Sequence, residues 1–196
     1  PKNTIINFRD FIGLPFAQAD VSKCAYGAPA VEVEGKVGFV ISRGEDKQET
    51  ITVDEVVARH LRRLKLAAED YIGSKVSEVV ITVPTSFTSE QKEALEAAAG
   101  KSGLKIVQFI NEPSAALLAH AEQFPFEQDV NVVVADFGGT RSDAAVIAVR
   151  NGIFTILATK HDTNLGGDNL DNELVEYFAK DFEKKNKSNP RTNARS

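Results

Sequence analysis

Residues 130–143 read Val-Asn-Val-Val-Val-Ala-Asp-Phe-Gly-Gly-Thr-Arg-Ser-Asp, and this stretch says most about the fold. Its apolar run predicts a buried strand, and the glycines over 138–142 predict a turn at which the chain reverses into a second strand. Such a turn can present consecutive backbone N–H groups to phosphate oxygens, and Asp136 and Asp143 can hold a hydrated magnesium ion through water. Taken alone, a glycine hairpin with aspartate caps explains the stretch equally well.

The segments around this stretch alternate between strand and helix patterns. The predicted helices are Asp54–Ile72, Ser89–Ala99, Pro113–Glu122 and Asn169–Lys185, and the predicted strands after residue 53 are Val76–Val83, Leu104–Ile110, Val130–Phe137, Asp143–Val149 and Ile153–Lys160. Residues 1–50 predict small strands joined by turns. A tandem β-α-β-α run followed by a three-strand meander and a helix predicts an α/β fold with a mixed sheet.

Two parts are expected along the chain. Residues 1–123 contain the small-strand subdomain (about 1–50) and then the β-α-β-α run, whereas residues 124–196 contain the meander and the closing helix.

The 196 residues are 42% hydrophobic and 26% charged, which excludes a wholly disordered chain. The net charge of −5 gives no support for a nucleic-acid-binding surface. No apolar run approaches the roughly 20 residues of a membrane span. The absence of methionine suggests that the sequence is part of a longer protein.

Three further motifs are candidates for binding, and each has a plainer explanation. Glu112 follows a predicted strand and begins a helix, where it can serve a metal's water shell or merely cap the helix. Gly166 and Gly167 lie between a strand and a helix, where they allow close packing against a nucleoside or simply a tight turn. Arg9 is a possible cationic arm toward phosphate or an ordinary surface charge. The single cysteine, Cys24, excludes an internal disulfide and has no histidine nearby.

Taken together, four motifs closely resemble the seventy-kilodalton heat-shock chaperone family. They are Ile81-Thr-Val-Pro-Thr-Ser-Phe-Thr-Ser-Glu-Gln, Ile110-Asn-Glu-Pro-Ser-Ala-Ala, Asp136-Phe-Gly-Gly and Leu165-Gly-Gly-Asp-Asn-Leu-Asp-Asn, in the family's order and spacing. The resemblance covers essentially the entire chain. It implies an actin-like (ribonuclease-H-like) ATPase fold, in which two lobes close over ATP and Mg²⁺. The chain is expected to be a fragment with the rest of lobe I and the start of lobe II.

The resemblance also implies which residues bind the ligands. Glu112, Asp136 and Asp143 would hold Mg²⁺, mostly through water. The nucleotide-binding positions that it implies are Arg9, Gly138, Gly139, Thr140, Arg141, Gly166 and Gly167.

Three of these positions depart from the family's pattern. Arg9 falls where active members carry a lysine that helps to position the attacking water, so no catalytic residue is assigned. Thr140 replaces a glycine that is expected to need backbone freedom. Arg141 replaces a threonine near the γ-phosphate. The magnesium-side carboxylates are therefore retained, while the phosphate side is altered.

Within the family, the pattern most resembles the atypical fungal member that pairs with the J-protein zuotin in the ribosome-associated complex. That resemblance implies a cytoplasmic chaperone that binds ATP, hydrolyses it weakly or not at all, and acts with a J-protein in co-translational folding. Ribosome and nascent-chain contacts would belong to the parent protein, with no direct nucleic-acid binding by this part and no membrane contact. The alternatives are an ordinary ATP-hydrolysing chaperone of the family and a nucleotide-independent scaffold of the same fold.

Overall fold

A computed structural model describes residues 2–25, 27–44 and 47–192. The chain divides into two compact units, Pro1–Asn111 and Glu112–Ser196. The first unit contains three short 3-10 helices, Phe8–Phe11, Phe16–Gln18 and Val21–Cys24, the strands β1 (Ala30–Val33), β2 (Lys36–Ser42), β3 (Gln48–Thr52), β4 (Glu78–Val83) and β5 (Lys105–Asn111), and the helices α1 (Val53–Ile72) and α2 (Ser89–Ser102). The second contains α3 (Glu112–Gln123), β6 (Val130–Phe137), β7 (Ser142–Arg150), β8 (Ile153–Asp162), α4 (Gly167–Asn186) and a 3-10 turn, Pro190–Thr192.

Helix boundaries in the first unit are set by local capping contacts. The Thr52 hydroxyl accepts a hydrogen bond from the Glu55 N–H at the start of α1, and Gly73 ends the helix with φ of 73°. At the start of α2, Thr88 and Gln91 form a reciprocal capping box. Lys65 then donates a 2.8 Å hydrogen bond to the Gly103 carbonyl, so α1 also helps to close the end of α2.

The core of the first unit joins its three short helices to both sheets and both long helices. Phe11 and Phe39 are 1% and 0% exposed, with ring centroids 6.3 Å apart. Val57 from α1 and Leu95 from α2 belong to the same buried cluster. The segment before β1 is therefore folded against the core in short helices, although its residues predicted only strands and turns.

The second unit is a three-strand antiparallel sheet that α3 covers on one face. The sheet order is β6-β7-β8, and Asn151 and Gly152 turn β7 into β8 with φ of 48° and 77°. Leu117 of α3 is 3% exposed and packs on Ile147 of β7, which is fully buried. The apolar side chains of α4 stay largely exposed: Leu170, Leu174, Val175, Tyr177, Phe178 and Phe182.

The observed sheets differ from the single mixed sheet that the sequence predicted. The described strands form three sheets: β1-β2-β3, β4-β5 and β6-β7-β8. The β4-β5 pair is parallel because a helix connects its strands, whereas short turns make the other two sheets antiparallel. β5 belongs to the first unit and β6 to the second. Among the described residues, no sheet contains both the parallel pair and the meander.

The division between the units lies twelve residues before the boundary expected at residue 123. It places α3 with the second unit, because Leu117 packs against the meander. The lobe boundary after residue 123 stays a prediction. Among the described residues, no helix has the length and apolar character needed to cross a membrane.

Candidate functional site

Two aspartates lie directly opposite each other where β6 and β7 meet the glycine turn. Asp136 pairs with Asp143 in the antiparallel register, two residues beyond the pair Val134–Ala145. Because strand residues alternate between faces, both carboxylates continue the face that α3 covers. Like charges placed opposite each other across a strand pair are mutually destabilising. The arrangement therefore favours a bound cation.

The Asp143 carboxylate has a second feature that suits a bound cation. Its Oδ2 atom is buried and has no hydrogen-bond partner among the described residues. A buried carboxylate oxygen left in this state costs free energy, which a cation or its water shell would recover. Asp136 is exposed, so the pair is open to solvent on one side. This donor set fits hydrated Mg²⁺, which binds few carboxylates and retains several waters.

Glu112 is the third expected magnesium residue, and the structure places it at the first position of α3, half-buried. No group of three or more His, Cys, Asp or Glu side chains within 2–25, 27–44 and 47–192 is arranged to hold a metal ion directly. The structure thus pairs Asp136 with Asp143 but does not gather Glu112 with them into a direct metal cluster. A role for Glu112 through water stays a prediction.

The turn after Asp136 leaves backbone donors available. The Gly138 N–H donates to the Arg141 carbonyl at 2.9 Å and closes the turn. In the part of the chain that the structure describes, no backbone-to-backbone hydrogen bond uses the N–H of Gly139 or Thr140. Successive unused N–H groups in a tight turn are what an anion site requires. The geometry is therefore compatible with phosphate binding at 139–140.

The backbone at position 140 corrects one expectation. The sequence predicted that Thr140 occupies a position needing glycine's freedom, but φ is not positive at Gly138, Gly139 or Thr140. A threonine adopts such a conformation without strain, because only the left-handed region penalises a β-branched residue. The threonine therefore adds a side chain to the glycine turn without distorting its backbone.

The two glycine motifs of the second unit interlock. Gly167 N–H donates to the Gly138 carbonyl at 3.0 Å, and Asp168 N–H donates to the Gly139 carbonyl at 2.8 Å. A Cβ atom at Gly166 would lie 2.4 Å from the Gly139 carbonyl oxygen, a distance that only glycine permits. The second motif therefore begins α4 and at the same time supports the first. The tight turn is therefore observed, and a role of Gly166 and Gly167 in nucleotide binding stays a prediction.

Ser142 is a site residue that the sequence did not reveal. Its hydroxyl donates a 2.7 Å hydrogen bond to the Leu165 carbonyl, and the residue is 9% exposed. The bond joins the start of β7 to the second glycine motif, 23 residues along the chain. A serine between an arginine and an aspartate carries no periodic signal, so only the tertiary structure identifies it.

Arg9 belongs to the first unit, in the short helix Phe8–Phe11, and is exposed. Arg141 lies in the glycine turn of the second unit and is half-buried.

Two of the histidines make ring contacts: His60 packs edge-on against Phe8 with centroids 5.5 Å apart, and His120 lies beside Phe124. These contacts account for both histidines structurally. Burial and the nearby Asp10 and Asp20 charges raise the pKa of the Cys24 thiol, which therefore stays protonated and unreactive.

Comparison with known proteins confirms the family resemblance. A model of the family "Hsp70 protein" matches residues 1–196. The chain is 81% identical over 196 residues to "Ribosome-associated complex subunit SSZ1" of Saccharomyces cerevisiae, covering 100% of this chain and 36% of that protein. It is 46% identical over 199 residues to a heat shock protein 70 homolog of Schizosaccharomyces pombe, covering 99% and 35%. A heat shock 70 kDa protein of Neurospora crassa is 35% identical over 206 residues. The chain spans about a third of the length of these relatives.

Proposed function

The chain belongs to the Hsp70 family and has part of that family's actin-like ATPase fold, and from this premise we propose that it is the ATP-binding part of an Hsp70-like subunit of a ribosome-associated complex. The observation that supports nucleotide binding is the opposed pair Asp136–Asp143, whose Asp143 Oδ2 has no hydrogen-bond partner among the described residues. The N–H groups of Gly139 and Thr140 in the adjoining turn make no backbone-to-backbone hydrogen bond among those residues. The 81% identity to a ribosome-associated complex subunit supports the assignment within the family.

In this proposal each residue has a defined role in binding. Asp136 and Asp143 hold the hydrated Mg²⁺, with Glu112 contributing through water. The N–H groups of Gly139 and Thr140 donate to phosphate oxygens, and Gly138 closes the turn that presents them. Bound Mg²⁺ supplies charge neutralisation for the β- and γ-phosphates.

Gly166 and Gly167 hold the phosphate turn in place through the interlocked backbone. Arg9 and Arg141 are the two cationic positions that the family resemblance assigns to nucleotide binding. These two arginines are the reason to expect weak or absent hydrolysis. A guanidinium keeps the charge of the lysine ammonium expected at position 9, but it is a broad planar fork with a different hydrogen-bonding geometry. Phosphoryl transfer depends on positioning, and a misplaced donor cannot orient the attacking water. ATP would then act as a stabilising ligand rather than as fuel for a cycle.

The proposed cellular role follows from the family assignment. The parent protein would act in the cytoplasm with a zuotin-like J-protein, and the contacts with the ribosome and nascent chains would belong to that parent protein. We expect no direct nucleic-acid binding by this part and no membrane contact. The net charge of −5 supports the former expectation, because phosphate-backbone binding depends on a basic surface.

Titration calorimetry of the full-length protein with ATP and Mg²⁺ tests this proposal. We expect saturable binding that requires Mg²⁺ and is lost in Asp143→Asn. The exposed Asp70→Asn variant of α1 is the matched control, because it removes the same charge from a residue outside the four family motifs and should bind normally. Absence of binding in the unaltered protein would support the nucleotide-independent scaffold. Rapid hydrolysis of the bound ATP would support the ordinary chaperone.

A further inference from the structure

Ser142 is buried, although its neighbours across the sheet are exposed. It begins β7 and pairs with Phe137 of β6 and Asp162 of β8. Phe137 is 80% exposed and Asp162 is also exposed, whereas Ser142 is 9% exposed. Because side chains alternate along a strand, Ser142 lies on the sheet face opposite Asp143 and the α3 core. That core therefore does not account for the burial of Ser142.

The segment 165–168 contacts Ser142 and is attached to the glycine turn at both ends of the turn. At one end, the Ser142 hydroxyl donates to the Leu165 carbonyl at 2.7 Å. At the other end, the carbonyls of Gly138 and Gly139 accept from backbone N–H groups at the start of α4. The turn is therefore fixed to one segment before and after the N–H groups proposed to bind phosphate.

Of these three contacts, the Ser142 bond alone is made by a side chain. The bonds to Gly138 and Gly139 join backbone to backbone, so they do not depend on a side-chain donor. Removing the Ser142 hydroxyl would leave the Leu165 carbonyl without this donor, which costs free energy. The identity of residue 142 therefore decides whether the second end of the turn stays attached.

The attachment bears on Asp143, which follows Ser142 directly and lies opposite Asp136. Repulsion between the two carboxylates favours separation of the strand ends when no cation is bound. The Ser142 bond resists this separation, because it fixes the start of β7 to a segment outside both strands. A carboxylate that is already in place binds a cation with a smaller ordering cost.

We infer that Ser142 is a positioning residue for Asp143: its bond to the Leu165 carbonyl fixes the start of β7 and so holds the Asp143 carboxylate in place for hydrated Mg²⁺. The inference rests on the proposed function, in which Asp143 binds that Mg²⁺. Ser142 acts from the opposite face of the sheet and does not contact the metal itself. Loss of its hydroxyl should weaken MgATP binding through the metal, while Gly138 and Gly139 keep their backbone bonds.

Titration calorimetry of the full-length protein with MgATP tests the inference. Ser142→Ala should weaken MgATP binding about fivefold, the factor that one lost hydrogen bond of typical strength produces. Ser142→Thr and Ser142→Val form a pair of nearly equal shape, of which only the threonine keeps the hydroxyl. The threonine variant should bind MgATP about fivefold more tightly than the valine variant. This comparison separates the hydrogen bond from side-chain size.

Mn²⁺ in place of Mg²⁺ supplies a second readout, because water and carboxylate oxygens suit both ions. The electron paramagnetic resonance spectrum of Mn²⁺ bound with saturating ATP reports how uniform the metal's surroundings are. The spectrum should broaden in Ser142→Ala and Ser142→Val but not in Ser142→Thr. Arg150→Met is the matched control, because it removes a 2.6 Å side-chain bond to the Val130 carbonyl at the far end of the same strand pair. It should change neither the MgATP affinity nor the spectrum.

Three results would overturn the inference. Equal MgATP affinities of Ser142→Thr and Ser142→Val would show that the hydroxyl has no role in binding. Weaker binding with an unchanged Mn²⁺ spectrum, or an equal loss in Arg150→Met, would show a general structural role. If the unaltered protein binds no MgATP, the proposed function fails together with the inference. If it binds MgATP and the Ser142 variants match it, the inference alone fails.

Discussion

Replacing Gly166 with alanine is expected to separate the two interlocked glycine motifs. The added Cβ would lie 2.4 Å from the Gly139 carbonyl oxygen and 2.8 Å from the Arg141 nitrogen, both rigid backbone atoms. At φ of −164° the backbone itself tolerates alanine, so the effect is purely steric. Overpacking costs about 1–3 kcal/mol, and the two displaced backbone hydrogen bonds about 1 kcal/mol each. The expected destabilisation of this junction is therefore about 3–5 kcal/mol.

Hydrogen exchange of the Gly167 and Asp168 amides measures this effect, because both amides donate across the junction. A loss of about 3 kcal/mol speeds exchange by local opening about a hundredfold. Gly139→Ala is the matched control, since its Cβ would meet only the Asp168 carboxylate, at 4.0 Å. It should change exchange little. Equal protection in the Gly166→Ala and Gly139→Ala variants would refute the interlocked geometry.

Three further predictions follow from the same contacts. Asp143→Asn should stabilise the protein in the absence of Mg²⁺, because it removes like-charge repulsion with Asp136, but it should abolish the stabilisation by MgATP. Thermal unfolding with and without MgATP checks both effects, and a loss of stability in both conditions would contradict the prediction. Ser142→Ala should cost about 1–2 kcal/mol through its lost bond to the Leu165 carbonyl, measured by urea unfolding, and an unchanged unfolding midpoint would count against it. Burial raises the pKa of the Cys24 thiol, so folding suppresses its thiolate form. Iodoacetamide should therefore label Cys24 slowly in the folded protein up to pH 9 and rapidly in urea. Equal labelling rates in both states would show that the thiol is accessible.

Local signals predicted much of the fold. Thr52, Thr88 and Gly73 lie where the sequence placed helix ends, because caps depend on residues within one turn. The turn at Asn151 and Gly152 lies between two of the predicted strands, and both residues adopt the positive φ that this dipeptide favours. Four motifs in their order predicted the family, and the family match over the whole chain confirms it.

What the sequence missed depends on contacts between distant segments. Ser142 reaches Leu165, and Gly166 fits against Gly139, but neither pair leaves a periodic pattern in the chain. The grouping of α3 with the meander depends on where Leu117 packs, which helix propensity does not specify. The expectation that position 140 needs glycine's backbone freedom was also wrong, because the turn does not adopt a positive φ there.

Single-turnover hydrolysis of ATP by the full-length protein with Mg²⁺ tests the central claim most directly. The measurement follows phosphate release from preformed protein–ATP complex, with and without the J-protein partner, beside the Arg9→Lys variant. We predict that the unaltered protein binds ATP but releases phosphate no faster than a denatured control under either condition. Prompt phosphate release from the unaltered protein, equal to that of Arg9→Lys, would contradict the claim that this chain binds ATP without efficient hydrolysis.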